Sequence, residues 1–261
     1  MIDRAYRTAE ELGIPLWCED EAGPYQAIPQ PGPSWQPAGQ PAHRPHEYVR
    51  GGTAKLLTLF RPATGAVRAQ PVAHTPNAVL HPWVQQEMTA ILADLPPLSD
   101  PNAPERQATT WWWGRGEAPA WLDQAPPVRL LLIWDNLAGH RAPALVEWLL
   151  EQGVWLLPTP LGGSWLNLAE AIQRIVVRRA LDGQHPTTVA EIMTWLSETV
   201  AGWNADPTPF AWGGKRAARR VRARERRHAL GGAAGYTRRP LPRRRRSVYQ
   251  LPNVNGDAHD N

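Results

Sequence analysis

Three separated segments of this 261-residue chain each offer a carboxylate at the end of an apolar run or early in a helix: Asp20, Asp135 and Glu170. Hard divalent ions such as Mg²⁺ or Mn²⁺ prefer oxygen ligands and are held by a few carboxylates that leave positions for water and phosphate. Two such ions about 3.5–4 Å apart activate a water or a 3′-hydroxyl and stabilise the leaving oxygen during in-line attack on a phosphodiester. Three acids of this kind point to nuclease or strand-transfer chemistry. Each also has an ordinary explanation, since an Asp after a strand often caps the next helix and an exposed Glu on a helix often has no special task. Asp20 is the least defined, because Glu19 and Glu21 flank it and strand alternation alone does not choose among the three.

The elements that must position these acids are readable from periodicity. Val128 to Trp134 is an apolar run that stops at Asp135-Asn136, as a buried strand ending in a carboxylate does. An amphipathic helix follows, then a short strand at Val154–Leu157 that Pro158 and Pro160 break. Gly162-Gly163 lead into a helix over Trp165–Leu181, with Glu170 near its start and Leu168, Ile172, Ile175 and Val176 on its apolar face. Upstream, residues 1–13 read as a helix end and Ile14–Cys18 as a short strand with Glu19, Asp20 and Glu21 at its tip. Seven prolines between 24 and 46 predict an extended loop rather than a central strand. Ala54–Phe60 and Ala66–Val72 form a hairpin turning at Ala63 to Gly65, and His81–Leu95 a helix with Pro82 in its first turn. Residues 96–124 lack periodicity and carry Trp111-Trp112-Trp113, which either pack over a core edge or, as a Trp platform in a basic protein, stack on RNA bases. Thr187–Trp203 is a helix capped by Thr187 or Thr188, with Glu191 in its first turn, and the folded body ends near Trp212. The class is α/β.

Composition bounds the setting. A single cysteine, Cys18, excludes an internal disulfide framework and suits a reducing cytoplasm. The N-terminus has no apolar core of signal-peptide type, and no apolar run approaches the roughly 20 residues of a membrane span, so no membrane association is expected. The net charge of +4 conceals an asymmetry: residues 205–250 hold 14 of the 28 basic residues against only Asp206 and Glu225. An acidic body (1–214) carries a basic, partly disordered tail (215–261), in which Lys215, Arg216, Arg219, Arg220 and Arg222 could neutralise DNA phosphates. Only two lysines stand against 26 arginines, which a GC-rich genome would also produce.

Taken together, Asp135-Asn136 with His140 five positions after the Asp, LLPTPLGGSWLNLAE ending at Glu170, and NADPTPFAWGG around Pro209–Trp212 resemble the catalytic domain of mariner-type DDE transposases, in the insertion sequence 630 branch. The resemblance covers most of the chain from about Pro15 to Lys215. It implies an RNase H-like mixed sheet flanked by helices. It matches the family's acidic triad to Asp20 in CEDEAG, Asp135 in WDNLAGH and Glu170 in WLNLAE, preferring Asp20 over its neighbours, and implies two Mg²⁺ (or Mn²⁺) ions for DNA cleavage and joining at the terminal inverted repeats of a mobile element. Asn136, His140 and Asn167 are candidates to support the ligand carboxylates by hydrogen bonds. His140 is also suited to contacting a phosphate or to packing.

Gly163 and Ser164 stand where the family usually has a Ser-Pro pair, and Leu168 where Pro is common. The roughly 19 residues before Asp20 leave no room for the family's helix-turn-helix region, so a separately encoded N-terminal half is an expected partner, alongside double-stranded DNA and a second copy of the chain. The alternative is an inactive remnant that binds DNA without cutting it.

Overall fold

The run Leu130–Trp134 is apolar throughout because it is covered on both faces: Leu130, Leu131, Leu132, Ile133 and Trp134 are all buried. A computed structural model describes residues 1–32, 35–43, 47–96 and 128–212. Its strands are β1 (Leu16–Gln26), β2 (Thr53–Arg61), β3 (Ala66–Val72), β4 (Leu130–Trp134) and β5 (Val154–Pro158), arranged β3-β2-β1-β4-β5 in one mixed sheet. The β1–β2 and β2–β3 pairs are antiparallel, whereas β4 runs parallel to β1 and β5 parallel to β4. The helices are α1 (Ile2–Thr8), α2 (Asn77–Ala93), α3 (Pro143–Glu151), α4 (Ala169–Leu181) and α5 (Val189–Ala205). This is the RNase H-like mixed sheet flanked by helices that the resemblance implied. No helix among the described residues is long and apolar enough to cross a membrane.

Strand alternation divides the core in two. Leu16 and Cys18 of β1 and Leu131 and Ile133 of β4 join Ala5 of α1, Ile172 and Val176 of α4 and Leu196 and Val200 of α5 on one face. Trp17 of β1, Leu57 and Leu59 of β2 and Leu132 and Trp134 of β4 join Val84 and Met88 of α2 and Leu145 and Leu149 of α3 on the other. Consecutive positions on β1 therefore face different helices.

Several boundaries differ from expectation, each for a physical reason. β1 continues to Gln26, through residues assigned to the proline-rich loop, so its acids lie inside a strand rather than at a tip. Pro24 is tolerated because the register with β2 shifts between Ala22 and Tyr25, and because the β4 pairing stops at Cys18, which leaves that edge of β1 without a hydrogen-bonding demand. α2 begins four residues before His81, which puts Pro82 inside the helix, where it forfeits one backbone bond. The helix bearing Glu170 begins at Ala169 rather than Trp165, because Ser164–Leu166 form a separate 3₁₀ turn. Thr188 caps α5 in a reciprocal capping box with Glu191. The hairpin turn is closed by Gly65, whose φ is 80° and on which a Cβ would lie 2.5 Å from the Thr208 backbone. Trp111 to Trp113, most of the 96–124 loop, and the basic tail with Lys215, Arg216, Arg219, Arg220 and Arg222 lie outside the described residues.

Candidate active site

The β1–β4 pairing ends at Cys18 and Ile133, so the two strands part where their acids begin. A crevice beyond the carboxyl ends of parallel strands is where open α/β sheets place ligands. Register fixes direction here. Asp20 pairs with Thr58, on the face of Leu16 and Cys18, while Glu19 pairs with Leu59 and Glu21 with Leu57, on the opposite face. Asp20 therefore stands on the α4 side, and Glu19 and Glu21 on the α2–α3 side.

α4 is fastened to β1 on both sides of Glu170. Three residues before it, the Asn167 carboxamide donates to the Glu19 carbonyl at 2.6 Å, and its Oδ1 accepts from the Ala169 N–H at 3.1 Å, starting the helix. Three residues after it, Gln173 Nε2 donates to the Asp20 carbonyl at 3.1 Å. α1 adds a third clamp, since the Tyr6 hydroxyl donates to the Leu166 carbonyl at 2.8 Å and accepts from the Leu168 N–H at 3.1 Å. The Tyr6 ring in turn stacks on Trp212 with centroids 4.4 Å apart. Asn136 ties the ends of β4 and β5 together by donating to the Thr159 carbonyl. Of the three side chains expected to support the acids, only His140 touches a carboxylate; Asn136 and Asn167 hold backbone carbonyls instead.

The charges of Asp135 and Glu170 act on Asp20. Burial first, then the carboxylates of Glu19, Asp135, Glu170 and Glu21, push the Asp20 carboxyl up to about 8. Burial would also raise Asp135, but hydrogen bonds to its Oδ1 from His140 Nδ1 and the Leu137 N–H, both 2.8 Å, hold it below the ordinary value. Among the described residues its Oδ2 makes no hydrogen bond. Among the described residues, the donor atoms of Asp20, Asp135 and Glu170 do not gather within 4.8 Å of one another as those of Glu19, Glu21 and His140 do.

On the other face, His140 is fully buried and its ring stacks on Trp134, with centroids 4.9 Å apart. Its Nε2 lies 2.8 Å from Glu19 Oε2 and 3.7 Å from Glu21 Oε1. Burial opposes a charge on this imidazole, yet Glu19, Asp135 and Glu21 together raise it to about 11. Burial and Glu19 bring Glu21 up to about 7. Glu19, Glu21 and His140 are a group that could hold a metal ion.

Glu170 opens onto a groove of about 1010 Å³ between α4 and the far end of β1, lined also by Tyr25, Gln173, Arg174 and Arg178. Sequence reasoning did not single out Gln173, Arg174 or Arg178. Their signal is helical spacing: Arg174 and Arg178 follow Glu170 by four and eight positions and so share its stripe.

No protein-family model and no curated protein matches the sequence. Solved structures do. The Mos1 strand transfer complex superposes with a TM-score of 0.51 at 17% identity, over 84% of this chain and 59% of that one. The pre-cleavage Mos1 transpososome gives 0.48 at 17% identity, over 77% and 52%. A Mos1 transposase catalytic domain solved with raltegravir and Mg gives 0.44 at 16% identity, over 82% and 87%. The chain thus spans between a half and three-fifths of the Mos1 chains in the two assemblies.

Proposed function

We propose that this chain is the catalytic domain of a DDE transposase, a metal-dependent DNA endonuclease and strand transferase acting at the ends of a mobile element. Asp20, Asp135 and Glu170 are its metal ligands. The observation that carries this reading is the placement of Asp20 on β1 within reach of the charges of Asp135, which follows β4, and of Glu170 on α4. Two Mg²⁺ or Mn²⁺ ions, when bound, would activate the attacking water or 3′-hydroxyl and stabilise the leaving oxygen.

The chain's own residues do the rest. Asp20 must be ionised to serve as a ligand, and the cation that it binds favours that form. Asn167, Gln173 and Tyr6 keep Glu170 in register with Asp20 across more than 140 residues of sequence. Arg174 and Arg178 offer phosphate contacts along the groove that begins at Glu170, and the basic residues Lys215, Arg216, Arg219, Arg220 and Arg222 extend that attraction to double-stranded DNA. A separately encoded helix-turn-helix half would supply recognition of the terminal inverted repeats, with a second copy of the chain holding the other end. A cytoplasmic setting accords with the single free, buried cysteine.

A nicking and strand-transfer assay with Mg²⁺ or Mn²⁺ on DNA bearing the element's terminal repeats tests the reading. Wild-type activity should disappear in Asp135→Ala. Cleavage that survives this substitution overturns the assignment, and metal-independent DNA binding with no cleavage by the wild type identifies an inactive remnant.

A further inference from the structure

Glu19 and Glu21 are carboxylates buried among Leu57 and Leu59, on the face of the sheet opposite Asp20. Glu19 is fully buried; its Oε2 lies 2.8 Å from His140 Nε2, whereas its Oε1 and Glu21 Oε2 have no hydrogen-bond partner. Buried polar atoms without partners are costly, and this is the only place among the described residues where so many converge. Lys55, whose charge also acts on Glu21, donates to Thr75 Oγ1 at 3.0 Å.

We propose that Glu19, Glu21 and His140 bind one divalent transition-metal ion, Zn²⁺ foremost, at a structural site separate from the catalytic acids. One donor atom from each residue lies within 4.8 Å of the other two. The separations from His140 Nε2, 2.8 and 3.7 Å, lie on either side of the roughly 3.3–3.6 Å expected between ligands at about 2.0–2.2 Å from a tetrahedral Zn²⁺. The second oxygens of Glu19 and Glu21 offer the remaining coordination, and two carboxylates with a neutral imidazole balance a divalent charge. His140 is also oriented as a ligand: Nδ1 faces Asp135 Oδ1 at 2.8 Å, the carboxylate–histidine arrangement that leaves Nε2 free to coordinate. The imidazole donor favours Zn²⁺ over the Mg²⁺ suited to the all-carboxylate face. The ion would tie β1 to the turn after β4, and through His140 it would hold Asp135 in place.

The site stands whether or not the chain cuts DNA, so its test reads metal content. The full chain carrying Asp20→Asn and Glu170→Gln, stripped with a chelator, is titrated with Zn²⁺ against a chromophoric indicator. One equivalent should bind. Adding His140→Gln should abolish that equivalent, while adding Asp135→Asn, which takes the charge from the carboxylate that orients the imidazole, should weaken it about 10–100-fold. Circular dichroism checks that each variant folds. Co²⁺ added to the unsubstituted chain gives a readout free of folding effects, a visible absorption band of four- or five-coordinate Co²⁺ that one equivalent of Zn²⁺ removes. No stoichiometric Zn²⁺ uptake, or uptake unchanged by His140→Gln, overturns the proposal.

Discussion

Replacing Asp20 by Asn should make the metal-free protein more stable, by an amount that grows with pH. The Asp20 carboxyl is raised from 3.8 to about 8 in the folded chain. The folded state therefore holds a proton that the unfolded state has released, and stability from this group is full below about pH 4 and is lost as pH rises to about 8. At 1.36 kcal/mol per pH unit, the ceiling at pH 7 is about 4 kcal/mol. Asp20 is only half-buried and shares its proton affinity with Glu21, so about 2 kcal/mol is the working figure. In a domain of this size that corresponds to about 4–8 °C in melting temperature. In chelator, Asp20→Asn should melt together with the wild type at or below about pH 4 and above it at pH 8. His140, raised to about 11, also makes stability fall above about pH 6.5, but it does so in both proteins and cancels in the difference. Mg²⁺ should then raise the wild-type melting temperature and leave Asp20→Asn little changed. Parallel pH profiles for the two proteins would refute the electrostatic coupling of the three acids.

Asn167→Ala deprives the buried Glu19 carbonyl and the Ala169 N–H of their partners and should cost about 1–3 kcal/mol in urea denaturation, more than an exposed Asn would. Tyr6→Phe keeps the ring on Trp212 but removes the hydroxyl that serves Leu166 and Leu168, with a loss of about 1–2 kcal/mol by the same measurement. Gly65→Ala forces a Cβ against the Thr208 backbone at positive φ and should lower the melting temperature by several degrees, where Gly162→Ala, also at positive φ but with open space around it, should lower it less.

Much of the fold was legible in the sequence because its signals are local. The β4 run, the β2–β3 hairpin and the capping box at Thr188 and Glu191 each announce themselves within a few residues. What was not legible depends on pairing across long separations. Alternation could not choose among Glu19, Asp20 and Glu21, because Leu16, Trp17 and Cys18 before them are apolar on both faces. Only the register with Leu57, Thr58 and Leu59 reveals which acid faces α4. The proline count between 24 and 46 misled because it assumes a strand hydrogen-bonded on both edges, and β1 beyond Cys18 lacks the β4 edge. The partnership of His140 with Glu19 joins a turn and a strand that no local pattern connects.

The acids of β1 pose an electrostatic problem that the fold answers by separation. Three adjacent carboxylates on one loop would repel one another in a single crevice, at a cost that grows as water is excluded. Placed on a strand, they alternate: Asp20 goes to the α4 side with Glu170, and Glu19 and Glu21 go to the side where His140 waits. The sheet between them is thin, so the separation is incomplete, and Glu19 and Glu21 still contribute to raising Asp20. Asp135 joins the two sides, because its Oδ1 accepts from His140 while its Oδ2 remains open. A cation bound beside Glu19 and Glu21 would thereby relieve Asp20. The face that carries no proposed chemistry thus sets the charge under which the other face would bind its metal.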